Sequence, residues 1–344
     1  MKKQLSVLLL SAFLAVGISS CNNDNSNPTA SVSATATATS TAKAPSPKQV
    51  RIASISVAID YAPYLVAKNK GWFEEALKAK GISVDYTTFQ SLPPANESLA
   101  TKKVDVVFAA EPPALIAEAA GIDVVVPYLS ATLTQEILVG ADSPIKTAAD
   151  LKGKKIAVLA GSSSHYGLLK IVEAGGLKAE DIQVIDMIPP DARIAFATQK
   201  VDAWAVWPPF VQQEEISGKG RVLPKADAVI HSMMIVRDSF AKENPELTKD
   251  LVAVLEKSKK WIQENPAEAQ QIVAKELGIP VAVVQKAWAS HNWAAQITPA
   301  VTADIQAKSD FMKKNNFIRN TVDVKKDLLD TSFASSTQST KPAK

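Results

Sequence analysis

The sequence predicts an α/β fold built from two lobes, and three features of the chain lead to that prediction. Short runs of apolar and β-branched residues alternate with amphipathic helical stretches, which is the pattern of an α/β protein. The alternation occurs in two successive sets, followed by a long and almost wholly helical stretch. The body between the terminal segments has roughly 280 residues, which is beyond the size at which a single hydrophobic core usually keeps growing. Two lobes are therefore expected, with the chain crossing between them twice.

The first set of strands and helices runs from residue 50 to about residue 138. Its strands are apolar and β-branched runs, and several of its helices begin at an acidic residue or a proline and end at a glycine. The predicted strands are 51–56, 82–86, 104–108 and 124–126. The predicted helices are 60–68, 72–80, 96–102 and 112–120.

The second set begins near Ser143 and is followed by a return to the first lobe. Its predicted strands are 155–159, 182–185 and 203–206, and its predicted helices are 146–151, 165–173 and 191–198. A strand at 229–236 leads back, and the chain from Pro245 to about Asn315 is predicted to be helical, with helix starts at Pro266, Pro280 and Pro299. We therefore predict a first lobe from 50–138 and 237–329, a second lobe from 139–236, and crossings near 138–144 and 234–238.

Residues 1–21 have the pattern of a secretory signal that ends in a cysteine. Two lysines precede an apolar run from Leu5 to Ile18, which is shorter than the about 20 apolar residues that span a bilayer. Small residues and Cys21 follow, and this boundary resembles the bacterial lipobox, in which the thiol is acylated. Cys21 is the only cysteine, so the fold cannot depend on an internal disulfide. We expect a lipid anchor at Cys21; the alternative is an ordinary signal peptide with a chance cysteine.

The segments 22–49 and 330–344 are predicted to be disordered. The first is rich in Ser, Thr, Ala, Asn and Pro, and the second in Ser, Thr and Lys. Such segments cannot bury enough apolar surface to offset the loss of chain entropy on folding. We interpret the first as a flexible tether between the anchor and the body, and the second as a tail.

Charge and histidine content argue against several classes of function. The formal net charge is +3 for 344 residues and no basic stripe is present, so nucleic-acid binding has no support. The three histidines, His165, His231 and His291, lack metal-ligand spacing and a partner cysteine, so neither a metal site nor a cofactor is expected. No Ser-His-Asp spacing suggests a nucleophile with its base, and Cys21 is committed to the anchor, so no catalytic residue is expected.

Several segments of the body resemble the aliphatic sulfonate/nitrate/taurine-type family of ABC-transporter solute-binding proteins. Their order and spacing carry the resemblance from Arg51 to about Phe317, in the segments 59–67, 70–73, 142–158, 161–166, 190–192 and 201–207. The resemblance implies a two-lobe periplasmic-binding-protein-like fold of type II with two crossovers at a hinge. It also implies a periplasmic or cell-envelope location, a monomer, and ABC permease and ATPase subunits as partners. The implied solute is an alkanesulfonate, taurine, nitrate or a similar anion or zwitterion.

The turn at residues 161–164 is the first candidate for ligand binding. It ends a predicted strand and opens a helix, where free backbone N–H groups and the helix dipole favour an anionic group. The hydroxyls of Ser162, Ser163 and Ser164 can add hydrogen bonds, and His165 can add one more. The alternative is that one serine merely caps the helix. A phosphate-binding P-loop is excluded because the Gly-Lys-Ser/Thr motif is absent.

Trp207 ends a predicted strand and is a candidate wall of the pocket, whereas core packing is favoured for Trp204. Pro208 stands where the family usually carries an acidic residue, so the family resemblance leaves the choice of solute open. Glu111 directly follows a strand; facing the cleft, it would attract an ammonium group, and the alternative is a favourable position at a helix N-terminus. Asp60 poses the same choice, and there helix capping is favoured.

The remaining candidates come from the family resemblance and from charge. Thr134 and Gln135 occupy a stretch where the family presents polar groups, and Tyr61 lies in the opening segment. Arg193 can bind a sulfonate or carboxylate with two hydrogen bonds, or lie on a solvated helix face. We therefore predict a solute-binding protein and not an enzyme. The alternatives are a sensory receptor, or an enzyme of the pyrimidine-synthase or desulfinase kind on the same fold.

Overall fold

The computed structural model describes residues 47–55, 57–224 and 228–333. The predicted signal peptide with Cys21, nearly all of the predicted tether and most of the predicted tail lie outside these residues. The body extends slightly beyond its predicted end, because Phe333 is buried in a short 3₁₀ turn at Thr331–Phe333. Within the described ranges, no helix combines the length and apolarity needed to span a bilayer.

The described chain contains both strands and helices, as the predicted α/β class requires. In chain order the strands are β1 (Gln49–Ile55), β2 (Ser83–Phe89), β3 (Val106–Ala110), β4 (Val124–Thr134), β5 (Glu136–Gly140), β6 (Lys155–Val158), β7 (Gln183–Asp186), β8 (Ala203–Val206), β9 (Gly220–Val222), β10 (Val229–Arg237) and β11 (His291–Asn292). The helices are α1 (Ala62–Asn69), α2 (Trp72–Lys78), α3 (Leu92–Ala100), α4 (Glu111–Ala119), α5 (Ser163–Ala174), α6 (Pro189–Ala197), α7 (Phe210–Ile216), α8 (Asp238–Glu243), α9 (Pro245–Glu264), α10 (Pro266–Leu277), α11 (Val281–Trp288) and α12 (Pro299–Lys314).

The strands form two separate sheets, which define the two lobes. The sheet of the first lobe has the order β11-β4-β10-β3-β1-β2, and that of the second lobe has the order β7-β6-β8-β5-β9. In each sheet a parallel group, β2-β1-β3 or β7-β6-β8, lies beside antiparallel strands that carry the chain between lobes. The predicted two-lobe α/β class is confirmed.

Both crossings lie earlier in the chain than predicted. β4 in the first sheet and β5 in the second are separated by Gln135 alone, and the return lies between the end of β9 at Val222 and the start of β10 at Val229. Residues 234–238 therefore do not form a crossing, because most of them belong to β10, which pairs with β3 and β4 along its whole length. β4 also continues well past its predicted end. Pro127 does not end the strand, because it lies at an irregularity in the β4–β10 pairing, where a proline without an N–H is tolerated.

The helical return follows the predicted proline signals. α9, α10 and α12 begin at Pro245, Pro266 and Pro299, and α11 begins directly after Pro280. Proline suits the first turn because its missing N–H would have no partner there. Gly278 ends α10 in a left-handed conformation. The short α7 and β9 were not predicted from the sequence, since neither carries a clear periodic pattern.

Apolar packing accounts for the interior of both lobes. All five residues of β3 are buried in the first sheet, and the rings of Phe108 and Tyr64 stack with their centroids 4.4 Å apart. In the second lobe Trp204 is buried against Phe196 and Phe210, which agrees with its predicted role in the core.

Gly167 of α5 lies against the first crossing, and its substitution tests how tightly that crossing is packed. A Cβ at Gly167 would lie 2.4 Å from the Cβ of the buried Gln135, an atom that moves only with its backbone. We expect Gly167→Ala to lower stability by about 1–3 kcal/mol through overpacking, in spite of the better helix propensity of alanine. Thermal unfolding should show a midpoint several degrees lower.

Gly140→Ala is the matched control, because a Cβ there would meet only the Cβ of Ser143 at an ordinary distance of 3.9 Å. Equal midpoints for the two variants would contradict the tight packing inferred at the crossing.

Candidate functional site

A cleft between the two lobes contains about 500 Å³ of empty space, part of it continuous with solvent. It lies at the carboxyl ends of the parallel strands β1, β3 and β6 and just beyond β8, where ligands bind in open α/β sheets. The first lobe contributes most of the lining: Ile55, Ala58, Asp60, Tyr61, Ala109, Ala110, Pro113, Leu133 and Ile230. The second lobe contributes Leu159, Ser162, Ser163 and Trp207.

The three serines at the start of α5 have three different roles. Ser162 is the N-cap: its Oγ accepts a hydrogen bond from the His165 backbone N–H (3.2 Å) and donates one to the Leu159 carbonyl oxygen (2.7 Å). Ser164 is buried and its Oγ donates to Gln135 Oε1 (2.6 Å). Ser163 lines the cleft, is only 7% exposed, and its hydroxyl has no partner among the described residues. Capping is thus the role of Ser162, and Ser163 stays the candidate for ligand binding.

The first turn of α5 also presents unpaired backbone donors. The backbone N–H groups of Ser163 and Ser164 have no acceptor within the described part of the chain, as is normal for the first positions of a helix. These groups lie at the positive end of the helix dipole. Together with the Ser163 hydroxyl, they form a set of donors suited to an anionic oxygen.

Asp60 is the one carboxylate or cationic side chain among the described residues that line the cleft. It is 4% exposed, and its Oδ2 accepts a hydrogen bond from the Ser232 hydroxyl of β10. Burial raises the pKa of Asp60 to about 6; the Ser232 hydrogen bond opposes this effect and the charge of Glu111 adds to it. The favoured expectation that Asp60 caps a helix is wrong: it lies inside a 3₁₀ turn at Ile59–Tyr61 and its side chain is bonded to β10.

Trp207 follows β8 and forms a direct link between the lobes. Its indole Nε1–H donates to the Val57 carbonyl oxygen of the first lobe (2.9 Å), and its ring packs edge-on against Phe210. The ring is 8% exposed and lines the cleft. Trp207 therefore lines the cleft and also joins the second lobe to the first through one hydrogen bond.

Glu111 lies outside the cleft lining and is held by α12. Its Oε1 accepts from Lys308 Nζ (2.6 Å) and its Oε2 from the His231 backbone N–H (2.5 Å), with the carboxylate fully buried. Burial acts to lower the pKa of Lys308, but the carboxylates of Glu111 and Asp304 raise it above its usual value, so the ammonium is retained. Glu111 is also the first residue of α4, which agrees with the alternative of a favourable helix N-terminus.

The other predicted candidates lie near the cleft or away from it, and are not among its lining residues. Thr134 ends β4, next to the lining residue Leu133. Gln135 is buried beneath α5. His165 accepts a hydrogen bond from the Gly161 N–H at Nδ1 (3.3 Å), and burial lowers its pKa. Arg193 donates to Glu214 Oε1 (2.7 Å) on the surface of the second lobe.

The sequence reasoning missed Ser232 and most of the apolar lining. The apolar residues that follow β1, β3 and β6 could have been found by treating every strand end as a potential wall. Ser232 gave no such signal, since it lies in the middle of an antiparallel strand. Among the described residues, no group of three or more His, Cys, Asp or Glu side chains is arranged to hold a metal ion.

Comparison with known proteins identifies the family of the chain. A model of the family described as NMT1/THI5 like matches residues 58–269. The chain is 32% identical over 292 residues to a putative aliphatic sulfonates-binding protein of Bacillus subtilis (strain 168), covering 81% of this chain and 86% of the relative.

Solved structures show the same fold. The alkanesulfonate-binding protein SsuA from Xanthomonas axonopodis pv. citri bound to MOPS aligns with a TM-score of 0.72 and 26% identity, over 83% of this chain and 99% of that one. The desulfurization enzyme DSZB aligns with a TM-score of 0.65 and 18% identity, over 83% of this chain and 97% of that one, and shares the fold. The family match over residues 58–269 and the 32% identity to the Bacillus relative, together with the shared fold, show that the chain belongs to the NMT1/THI5-like family.

Proposed function

We propose that this protein captures a small sulfonate, either a simple alkanesulfonate or an aminoalkanesulfonate such as taurine, and delivers it to an ABC permease. The observation that carries the proposal is the set of donors at the start of α5, where the Ser163 hydroxyl and two backbone N–H groups border an otherwise largely apolar cleft. A tetrahedral anionic head group with a short alkyl chain matches both parts. The names of the relatives support the same class of solute.

Capture takes place by closure of the two lobes around the solute. The head group binds at the second lobe, while the alkyl chain contacts apolar residues of the first lobe such as Ile55 and Leu133. A solute that contacts both lobes favours the closed form by its higher affinity for that form.

The setting of this binding protein is also part of the proposal. A secreted body tethered through a lipid at Cys21 would be held at the cell envelope, where the permease and its ATPase take up the solute, and it would act as a monomer. A role as a sensory receptor uses the same capture step with a different partner. An enzymatic role on the same fold is the other alternative, and the names of the similar Bacillus and Xanthomonas proteins, which describe binding proteins, favour capture over it.

A thermal-shift screen tests the solute class. Methanesulfonate, 1-propanesulfonate, taurine, nitrate and bicarbonate are added to the purified protein, and a solute that binds the folded state raises the unfolding midpoint by mass action. Sulfonates should give the largest shifts. A shift with nitrate or bicarbonate alone, or chemical conversion of any solute, would overturn the proposal.

The Ser163 hydroxyl is the first residue-level test. Ser163→Ala removes a hydrogen bond to a charged group, which is worth about 1.5–3 kcal/mol, so the Kd for sulfonate should rise at least ten-fold in calorimetric titration. Ser217→Ala is the control, since its hydroxyl donates to the Glu214 carbonyl oxygen outside the cleft. An unchanged Kd for Ser163→Ala would remove this hydroxyl from the ligand site.

Two substitutions at Trp207 distinguish the contribution of its ring to the cleft lining from that of its hydrogen bond between the lobes. Trp207→Phe keeps a ring but loses the hydrogen bond to Val57, which should raise the Kd about two- to ten-fold. Trp207→Ala loses both and should raise it further, without unfolding the protein. Trp261→Ala on α9, outside the cleft lining, serves as the control. Wild-type affinity in Trp207→Ala would show that the ring does not contact the solute.

A further inference from the structure

The charge of the cleft raises a problem for any anionic solute. Asp60 lines the same cleft as the donors of α5, and no lysine or arginine is among the described lining residues. Its carboxylate accepts from two neutral groups, the Ser232 hydroxyl and the backbone N–H of Asp60 itself. A sulfonate bound near an ionised Asp60 would therefore place two negative charges in one largely apolar cleft, which is strongly unfavourable.

The elements packed around Asp60 do not supply a free positive charge. The turn at Ile59–Tyr61 packs against α1, α11, β4 and β10. β4 carries no charged side chain, and the charged side chains of the other three are already engaged in pairs: Lys68 with Glu276, Lys286 with Glu215, Arg237 with Asp105 and His231 with Asp304. Two charged groups lie beyond these elements. Glu111 adds negative charge near Asp60, and Lys308 is already paired with both Glu111 and Asp304.

Two routes can relieve the repulsion, and they require different solutes. A solute with an ammonium group at its far end can place that group against the Asp60 carboxylate, which then stays ionised. A solute without such a group can bind only if Asp60 takes a proton from the solvent and becomes a neutral carboxylic acid. The protonated carboxyl still accepts from Ser232 and can itself donate a hydrogen bond.

We propose that Asp60 sorts sulfonates by charge: aminoalkanesulfonates bind with Asp60 ionised, and simple alkanesulfonates bind with uptake of one proton at Asp60. This proposal rests on the proposed function. It makes Asp60 a specificity-determining residue. It also makes the preference for one solute class over the other a function of pH.

The direction of the pH effect follows from the burial of Asp60. Because its pKa is raised to about 6, the carboxyl is mostly ionised at neutral pH and mostly protonated below pH 6. Because a simple alkanesulfonate needs Asp60 to be protonated, its binding weakens as the pH rises above that pKa. Its Kd then rises by up to about ten-fold per pH unit. An aminoalkanesulfonate needs Asp60 to be ionised, so its binding weakens as the pH falls below that pKa.

1-Propanesulfonate and taurine are a matched pair of probes, since a terminal methyl group in one replaces the ammonium group in the other. Calorimetric titration from pH 5 to pH 8 should give crossing profiles. The Kd of 1-propanesulfonate should rise about ten-fold or more between pH 6 and pH 8, and that of taurine should fall between pH 5 and pH 7 and then stay level. At pH 7, titrations in two buffers of different ionisation enthalpy should show uptake of nearly one proton for 1-propanesulfonate and almost none for taurine.

Asp60→Asn removes the ionisable group and keeps an oxygen that can accept from Ser232. In this variant both profiles should become flat and the preference for taurine at neutral pH should be lost. Asp85→Asn is the control, because Asp85 is an exposed carboxylate on β2, and it should leave both profiles unchanged. If Asp60→Asn does not fold, the proton count on the unmodified protein decides alone.

The outcomes separate this inference from the function on which it rests. Binding of both solutes with flat profiles and no difference in proton uptake would overturn the role of Asp60 and leave the sulfonate-binding function standing. Failure of both solutes to bind at every pH would overturn the proposed function itself.

Discussion

The pairing of β4 with β10 is the contact on which the rest of the structure depends. These two antiparallel strands carry the chain to and from the second lobe, so pairing them places both crossings side by side. A hydrogen bond from the Gln135 N–H to the Ala228 carbonyl oxygen (2.9 Å) continues the pairing into the crossings themselves. The two lobes are thereby joined along one edge and face each other across the cleft. The proposed closure of the lobes about this edge would leave each sheet intact.

The chemistry of the cleft follows from this arrangement. Parallel strands of both lobes end at the cleft, and the residues after them are largely apolar in the first lobe, while the second lobe offers the start of α5. Among the described lining residues the charged or donor groups are therefore few: the donors of α5 belong to the second lobe, and the one carboxyl, that of Asp60, belongs to the first. In a largely apolar cleft, each of these groups has a large influence on which solute can bind.

A second set of charges lies behind the cleft and stabilises the first lobe. Lys308 of α12 bonds to both Glu111 and Asp304, and Asp304 also bonds to His231. Glu111 would be a costly buried anion without this partner, because an unpaired buried charge is strongly destabilising. The pair also keeps Glu111 out of the cleft lining, and Asp60 remains as the carboxylate among the described lining residues.

The sequence by itself determined the class of fold and the order of most strands and helices, and it indicated the turn at residues 161–164, which the structure places at the cleft. These features are local: apolar periodicity, prolines at helix starts and a glycine-serine turn act within a few residues of the chain. Only the tertiary structure decided which acidic residue faces the cleft and where the chain crosses between lobes. Glu111 and Asp60 both stand next to a helix start in the sequence. Their different roles come from distant partners, Lys308 and Ser232, whose positions depend on how α12 and β10 pack against the first sheet.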